Sequence, residues 1–102
     1  MKKTYFVIVR FEIQQEQFQT LVSLIKEFFE KEVSSCPGFI ASQILINEDK
    51  TKVVNYATWD SKEKFEKFAD EIASKSEISK KIGAFKPVRE TFSEFEYLPK
   101  AK

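Results

Sequence analysis

Asn55 and Trp59 are the two residues whose chemistry fits their surroundings least. They lie in VVNYATWD, Val53–Asp60, a run that reads as a buried strand, and Trp59 is the only tryptophan in the chain. Side chains two apart in a strand share a face, so Asn55, Ala57 and Trp59 point the same way. The amide brings N–H donors and a carbonyl acceptor, the indole a single N–H donor. Asparagine is depleted from strands, and a buried amide without partners costs about 1–3 kcal/mol. Such local inconsistencies collect at functional sites. The plainer alternative is that Asn55 bonds to a neighbouring strand or helix end and that Trp59 is a large core residue.

Other reactive side chains are scarce. The chain has no histidine, which excludes a Ser/His or Cys/His catalytic pair, a histidine-ligated haem and most transition-metal sites. Cys36, beside Pro37, is expected to be a small apolar residue rather than a reactive thiol. As the single cysteine it cannot form an internal disulfide, which fits a reducing, cytoplasmic setting. The Lys and Glu residues of the helical stretches read as solvated faces, and none stands out as a general base.

The elements that must position Asn55 and Trp59 follow from periodicity. Tyr5 to Ile13 alternates, with Tyr5, Val7, Val9, Phe11 and Ile13 on one face and Phe6, Ile8, Arg10 and Glu12 on the other, the pattern of a strand. From Gln14 to about Ser35 the period becomes helical: Phe18, Leu21, Val22, Ile25, Phe28, Phe29 and Val33 form one stripe, broken by Cys36, Pro37 and Gly38. Phe39 to Ile46 and Lys52 to Trp59 are two strands joined by NEDKT, a hairpin connection. Asp60 is the expected cap of a second helix, with Glu63 as the other half of a capping box. Phe65, Phe68, Ala69 and Ile72 are that helix's inner stripe, and a short continuation from Glu77 to Ile82 ends at Gly83. After Pro87, VRETFSEFEYL alternates again as a fourth, edge strand. The order βαββαβ predicts an α+β, ferredoxin-like sandwich: a four-stranded antiparallel sheet with two helices on one face.

The 102 residues suffice for one domain, residues 1–102, with a single core. Hydrophobic residues make up 42% and charged residues 32%, and only five residues are Gly or Pro, so the chain is expected to fold rather than stay disordered. Seventeen Lys and Arg nearly balance sixteen Asp and Glu, with signs mixed along the chain, which gives no footprint for nucleic acid or an anionic membrane. The start, MKKTYFVIVRFEI, imitates a signal peptide, but Arg10 and Glu12 cut its apolar run, so it reads as the first strand. No segment reaches the roughly 18 apolar residues of a membrane span.

A sheet covered by helices on one side should be polar on the other, yet the first three strands are apolar on both. Phe6 and Ile8 stand against Val7 and Val9, Ile44 and Ile46 against Leu45, and Val54 and Tyr56 against Val53 and Ala57. Something must cover the second face, and the simplest partner is a second copy, giving a homodimer packed sheet to sheet. Tyr56 then belongs to the interface and Asn55 to the opposite, helix-covered side.

The stretch CPGFIASQILINEDKTKVVNYATWDSKEKFEKF, Cys36 to Phe68, resembles the antibiotic biosynthesis monooxygenase family, in its Pro-Gly-Phe opening, its VVNYA-x-W strand and the aromatic helix that follows. The resemblance implies a ferredoxin-like protomer that dimerises into an α/β barrel. It also implies a monooxygenase needing no metal, flavin or haem, with O2 as co-substrate and a small electron-rich aromatic, a quinol or an anthrone, as substrate. On this resemblance Asn55 and Trp59 are the candidate catalytic residues, hydrogen-bond donors to a developing enolate or peroxide oxygen. Phe65 and Phe68 are the candidate substrate-binding residues, an aromatic wall for a flat ligand.

Two departures narrow that implication. Some relatives have a tyrosine six residues after the tryptophan, where this chain has Phe65, so no phenolic donor stands there. The haem-degrading branch uses a histidine near the position of Ala69, which makes haem degradation a poor fit. Two readings beside the enzyme are a dimeric module that binds a small molecule without catalysis, and a structural protein whose pocket is filled by Phe65 and Phe68.

Overall fold

In the computed structural model, residues 4–101 are described. Residues 1–3 and 102, which the single-domain reading includes, lie outside the described residues. The chain runs β1 (Tyr5–Glu12), a 3-10 turn (Gln15–Gln17), α1 (Phe18–Phe28), a π turn (Phe29–Val33), β2 (Phe39–Ile46), β3 (Lys52–Trp59), α2 (Lys62–Glu71), a 3-10 turn (Ala73–Lys75), α3 (Glu77–Gly83) and β4 (Val88–Ser93). The strands form one antiparallel sheet in the order β2-β3-β1-β4. This is the expected ferredoxin-like sandwich.

Register fixes what can meet across the sheet. Asn55 on β3 is opposite Ile44 on β2 and Val9 on β1, and Val9 is opposite Arg89 on β4. One row of the helix-facing side therefore reads Ile44, Asn55, Val9, Arg89. On either side of that row the core splits in two. One cluster holds Tyr5, Val7, Val33, Ala57, Trp59, Phe65 and Phe68; the other holds Phe11, Ile13, Leu21, Ile25 and Val53. The helices close over this face because their stripes are apolar where they meet it: Leu21 and Ile25 of α1, Phe65 and Phe68 of α2 are all buried.

The first helix departs from one regular period. Ser34 N–H donates to the carbonyl of Phe29, five residues back, at 2.8 Å, and the α-helix opens into a π turn over Phe29–Val33. Phe28, Phe29 and Val33, at and around the wider turn, all belong to or pack against the Trp59 cluster.

The cap of α2 is also one residue later than expected. Ser61, in extended conformation, accepts from Lys64 N–H through its hydroxyl, so the Asp60–Glu63 capping box does not form. Asp60 is committed elsewhere: its N–H donates to the Gly38 carbonyl at 2.7 Å, and its carboxylate lies 3.6 Å from Lys64 Nζ. Gly38 makes that corner possible. Its φ is +89°, and a Cβ there would sit 2.6 Å from the Lys64 side chain. The link ties the start of β2 to the end of β3 and so fixes Trp59.

The fourth strand is shorter than its alternation. Pairing ends where Glu94 N–H donates to the Thr4 carbonyl, because β1 begins at Tyr5 and offers β4 no ladder beyond it. Phe95, Tyr97 and Leu98 follow with 78–87% exposure. The outer face of the sheet is bare as well. Val88, Phe92 and Leu45 are exposed, the Phe6 and Tyr56 rings pack together at 5.7 Å, and Arg10 pairs with Glu90 beside them. With one sheet and one helix layer the molecule is 20 Å across its shortest axis.

Candidate active site

Between the inner face of the sheet and the helices lies a cavity of about 330 Å³, within the range of small-molecule sites. Val7 and Val9 of β1 and Asn55, Ala57 and Trp59 of β3 form its floor. Phe28, Phe29 and Val33 from α1 and the π turn, Phe65 and Phe68 from α2, and Ser79 and Ile82 from α3 form the rest of its wall. All four residues singled out from the sequence, Asn55, Trp59, Phe65 and Phe68, are thus brought to one space. The space is open, so Phe65 and Phe68 line it rather than plug it.

Trp59 is held by aromatic neighbours on several sides. Its ring lies 5.4 Å from Phe39 and 5.6 Å from Phe65, both edge-on, and 5.2 Å from Phe68. Edge-to-face pairs of this kind contribute about 0.5–1.5 kcal/mol each beyond their buried area, and here they fix the plane in which the indole N–H lies. Asn55 is buried as well. Its carbonyl Oδ1 accepts from Ser42 Oγ at 2.6 Å.

Two donors remain without a partner. Among the described residues, the one side-chain N or O atom both enclosed and unpaired is Asp60 Oδ1. Among the same residues Asn55 Nδ2 and Trp59 Nε1 find no protein partner either, but they are not enclosed; Trp59 lines the cavity, and Asn55 lines both it and a more open groove between β2 and α1. The amide is therefore half-satisfied by Ser42 and half-available to a ligand, which answers the inconsistency of an asparagine in this strand.

Arg89, at the cavity's edge, is the residue that sequence reasoning missed. Its guanidinium stands 5.4 Å from the centre of the Phe65 ring, a cation–π contact. Among the described residues it is the only ionisable side chain in the lining. Alternation on β4 carried the signal: Val88, Glu90 and Phe92 share the outer face, so Arg89 must face the helices. Ser42 was missed for a similar reason, since its partner is visible only once β2 and β3 are in register. Together a guanidinium, an amide and an indole stand among the residues lining an aromatic-rich space, a composition suited to a flat ligand bearing a negatively charged or electron-rich oxygen.

Cys36 lies outside the cavity. Its thiol donates to the Glu32 carbonyl at 3.0 Å, and burial, with a smaller contribution from Glu32, pushes its pKa above the ordinary thiol value. That is the behaviour of a packed side chain, not of a nucleophile. Among the described residues no three His, Cys, Asp or Glu side chains gather as metal ligands, and no helix is long and apolar enough to cross a membrane.

The family model for antibiotic biosynthesis monooxygenases matches residues 4–75, the span that carries β1 to β3, α2 and every cavity residue named above except those of α3 and β4. The chain belongs to that family. Solved structures agree on the fold across nearly the whole length. A monooxygenase from the gene ActVA-Orf6 of Streptomyces coelicolor, in complex with nanaomycin D, aligns with a TM-score of 0.80 at 18% identity, covering 97% of this chain and 94% of that one. SnoaB, a cofactor-independent oxygenase from Streptomyces nogalater, aligns at 0.71 with 18% identity, covering 98% and 100%. Rv0793 from Mycobacterium tuberculosis aligns at 0.71 with 12% identity, covering 94% and 99%. No curated protein sequence matches the chain.

Within the family frame Phe65 has a physical consequence. It stacks on Trp59, on Tyr5 at 5.9 Å and on Phe68 at 6.4 Å, so its position contributes surface and no hydroxyl.

Proposed function

We propose that this family member is a cofactor-independent monooxygenase that oxidises a small electron-rich aromatic, of the anthrone or quinol class, with O2. The observation that carries the reading is the presence of unpartnered donors, Asn55 Nδ2–H and Trp59 Nε1–H, on residues lining a cavity that is mostly aliphatic and aromatic. Family membership and the name of SnoaB, a cofactor-independent oxygenase, lend it support.

The chemistry needs little from the protein beyond binding and electrostatics. An anthrone loses a proton from its ring CH2 to give a delocalised carbanion that passes an electron to O2. Recombination at that carbon and loss of water convert the CH2 to a carbonyl. The substrate gives up four electrons, and O2 accepts them, one oxygen atom entering the product and the other leaving as water with the two hydrogens. Asn55 and Trp59 would donate to the oxygen on which charge develops, and Arg89 would favour the ionised substrate by Coulomb attraction. Phe65 and Phe68 would hold the flat rings, and closing the helices over the site would exclude water.

The same reading takes the protein to act as a homodimer in a reducing, cytoplasmic setting. The apolar outer face, with Phe6, Ile8, Tyr56 and Phe92, supports the dimer. Sedimentation at micromolar concentration tests it, a monomer counting against.

Oxygen uptake with a panel of anthrones and quinols tests the enzyme. Wild type should consume O2, and Asn55→Ala and Trp59→Phe should each slow it; equal rates in all three would remove both roles. A second reading, a dimeric binding module without catalysis, is favoured by one feature: among the described residues no carboxylate or lysine lines the cavity to take the substrate's proton. Saturable anthrone binding without oxygen consumption would select it.

A further inference from the structure

We infer that Arg89 is the specificity-determining residue of the cavity and that the aromatic it selects carries a carboxylate. The inference rests on the reading of the cavity as the site of a flat aromatic, and it narrows the class of that ligand.

The chain has two arginines, and the sheet treats them oppositely. Arg10, on the outer face, is paired with the Glu90 carboxylate. Arg89, on the inner face, takes part in no ion pair among the described residues. Its guanidinium stands instead 5.4 Å from the centre of the Phe65 ring. An aromatic face is at most a weak acceptor, so this contact steadies the group and leaves its N–H donors to solvent or a ligand. Phe65 is itself part of the cavity wall, which places the cation beside the surface on which a flat ligand would lie.

The sheet also sets a length. Asn55, Val9 and Arg89 occupy one row across β3, β1 and β4. Neighbouring strands are about 4.8 Å apart, so the backbone positions of Asn55 and Arg89 are separated by about 10 Å. That is comparable with the long axis of a fused-ring aromatic. A ligand lying along the row can have its reacting oxygen at the Asn55 end and a second group at Arg89.

Charge decides what the second group is. The other polar residues of the lining, Asn55, Trp59 and Ser79, are uncharged, and among the described residues no carboxylate or lysine joins them. No side chain of the lining repels an anion, and none attracts a cation by charge. The planar fork of a guanidinium matches the two oxygens of a carboxylate, which sets this group above a hydroxyl or an amide of similar size. On a substrate anchored in this way the carboxylate compensates the guanidinium charge, so Arg89 acts on binding rather than on ionisation of the ring. Its effect belongs in KM more than in kcat.

The test is ligand binding, read by quenching of Trp59, the only tryptophan in the chain and a cavity residue. The probes are an anthraquinone carboxylate and the corresponding carboxamide, which share the same rings and have no CH2 to oxidise. Wild type should bind the carboxylate about tenfold more tightly, the lower end for a charge-assisted hydrogen bond because Arg89 is exposed. Added salt should shrink that preference. Arg89→Gln should erase it, Arg89→Lys should keep part of it, and Arg89→Glu should reverse it. All three sit at an exposed position on the edge strand β4, and thermal melts check that each is folded. Equal affinity of wild type for the two probes, binding of neither, or a preference that survives Arg89→Gln overturns the proposal. The monooxygenase reading is decided separately: a carboxylate preference without oxygen uptake on anthrones removes that reading and leaves the role of Arg89 standing.

Discussion

The two faces of the sheet are built from the same kind of residue and differ in what covers them. On the inner face Tyr5, Val7, Ala57 and Trp59 are buried under helices, yet the Asn55 amide, the Trp59 indole and the Arg89 guanidinium belong to residues that line a cavity. On the outer face Val88 and Phe92 are exposed and Phe6 and Tyr56 half-buried, and Arg10 pairs with Glu90 beside them. A broad apolar face suits a surface that another surface covers permanently. Apolar area with a few unsatisfied donors suits a ligand that comes and goes.

The difference can be broken from either side. The largest effect is expected on the inner face: Asn55→Ala should cost about 10²- to 10³-fold in kcat for anthrone oxidation, the usual loss for one oxyanion donor, with sedimentation unchanged. Next is the corner that holds Trp59. Gly38→Ala forces a side chain into a left-handed φ and against Lys64, and should lower unfolding free energy by about 1–3 kcal/mol, measured by urea denaturation. On the outer face, Phe92→Glu should weaken self-association at least about tenfold by analytical ultracentrifugation, since it buries a charge in the interface. Its effect on kcat should be smaller than that of Asn55→Ala, which sharpens the division between faces.

The smallest effect lies away from both faces, in the β2–β3 hairpin. The Thr51 hydroxyl, which donates to the Asp49 carboxylate, holds its pKa below the ordinary 3.8. A depressed folded-state pKa contributes stability above the unfolded pKa and loses it as pH falls through the folded one. Wild type should therefore be slightly more stable than Asp49→Asn at neutral pH, and thermal melts of the two should converge below about pH 4.

Much of this was legible in the sequence because burial follows the period of two. The bounds of β2 and β3 agree residue for residue with Phe39–Ile46 and Lys52–Trp59, since NEDKT and Pro37-Gly38 punctuate strongly on either side. That Asn55, Ala57 and Trp59 share one face followed from alternation; which face the helices cover did not, because both are apolar. The π turn did not, because over a single turn the apolar spacing of Phe28, Phe29 and Val33 fits a regular helix almost as well. Asp60 and Ser61 are both good caps, and the choice between them was made by the Gly38 carbonyl, a contact across 22 residues of chain that no local rule sees. Arg89 and Ser42 were hidden for the same reason. Their meaning depends on which strands are neighbours, and that is a property of the sheet order β2-β3-β1-β4 rather than of either strand.

The charge make-up of the cavity has a consequence for the shape of a pH–rate curve. Among the described residues Arg89 is the single ionisable group in the lining, with no carboxylate, lysine or tyrosine beside it. The rising limb of activity therefore belongs to the substrate: its midpoint should move from one anthrone to the next with the acidity of each, tracking the ligand while the protein stays the same.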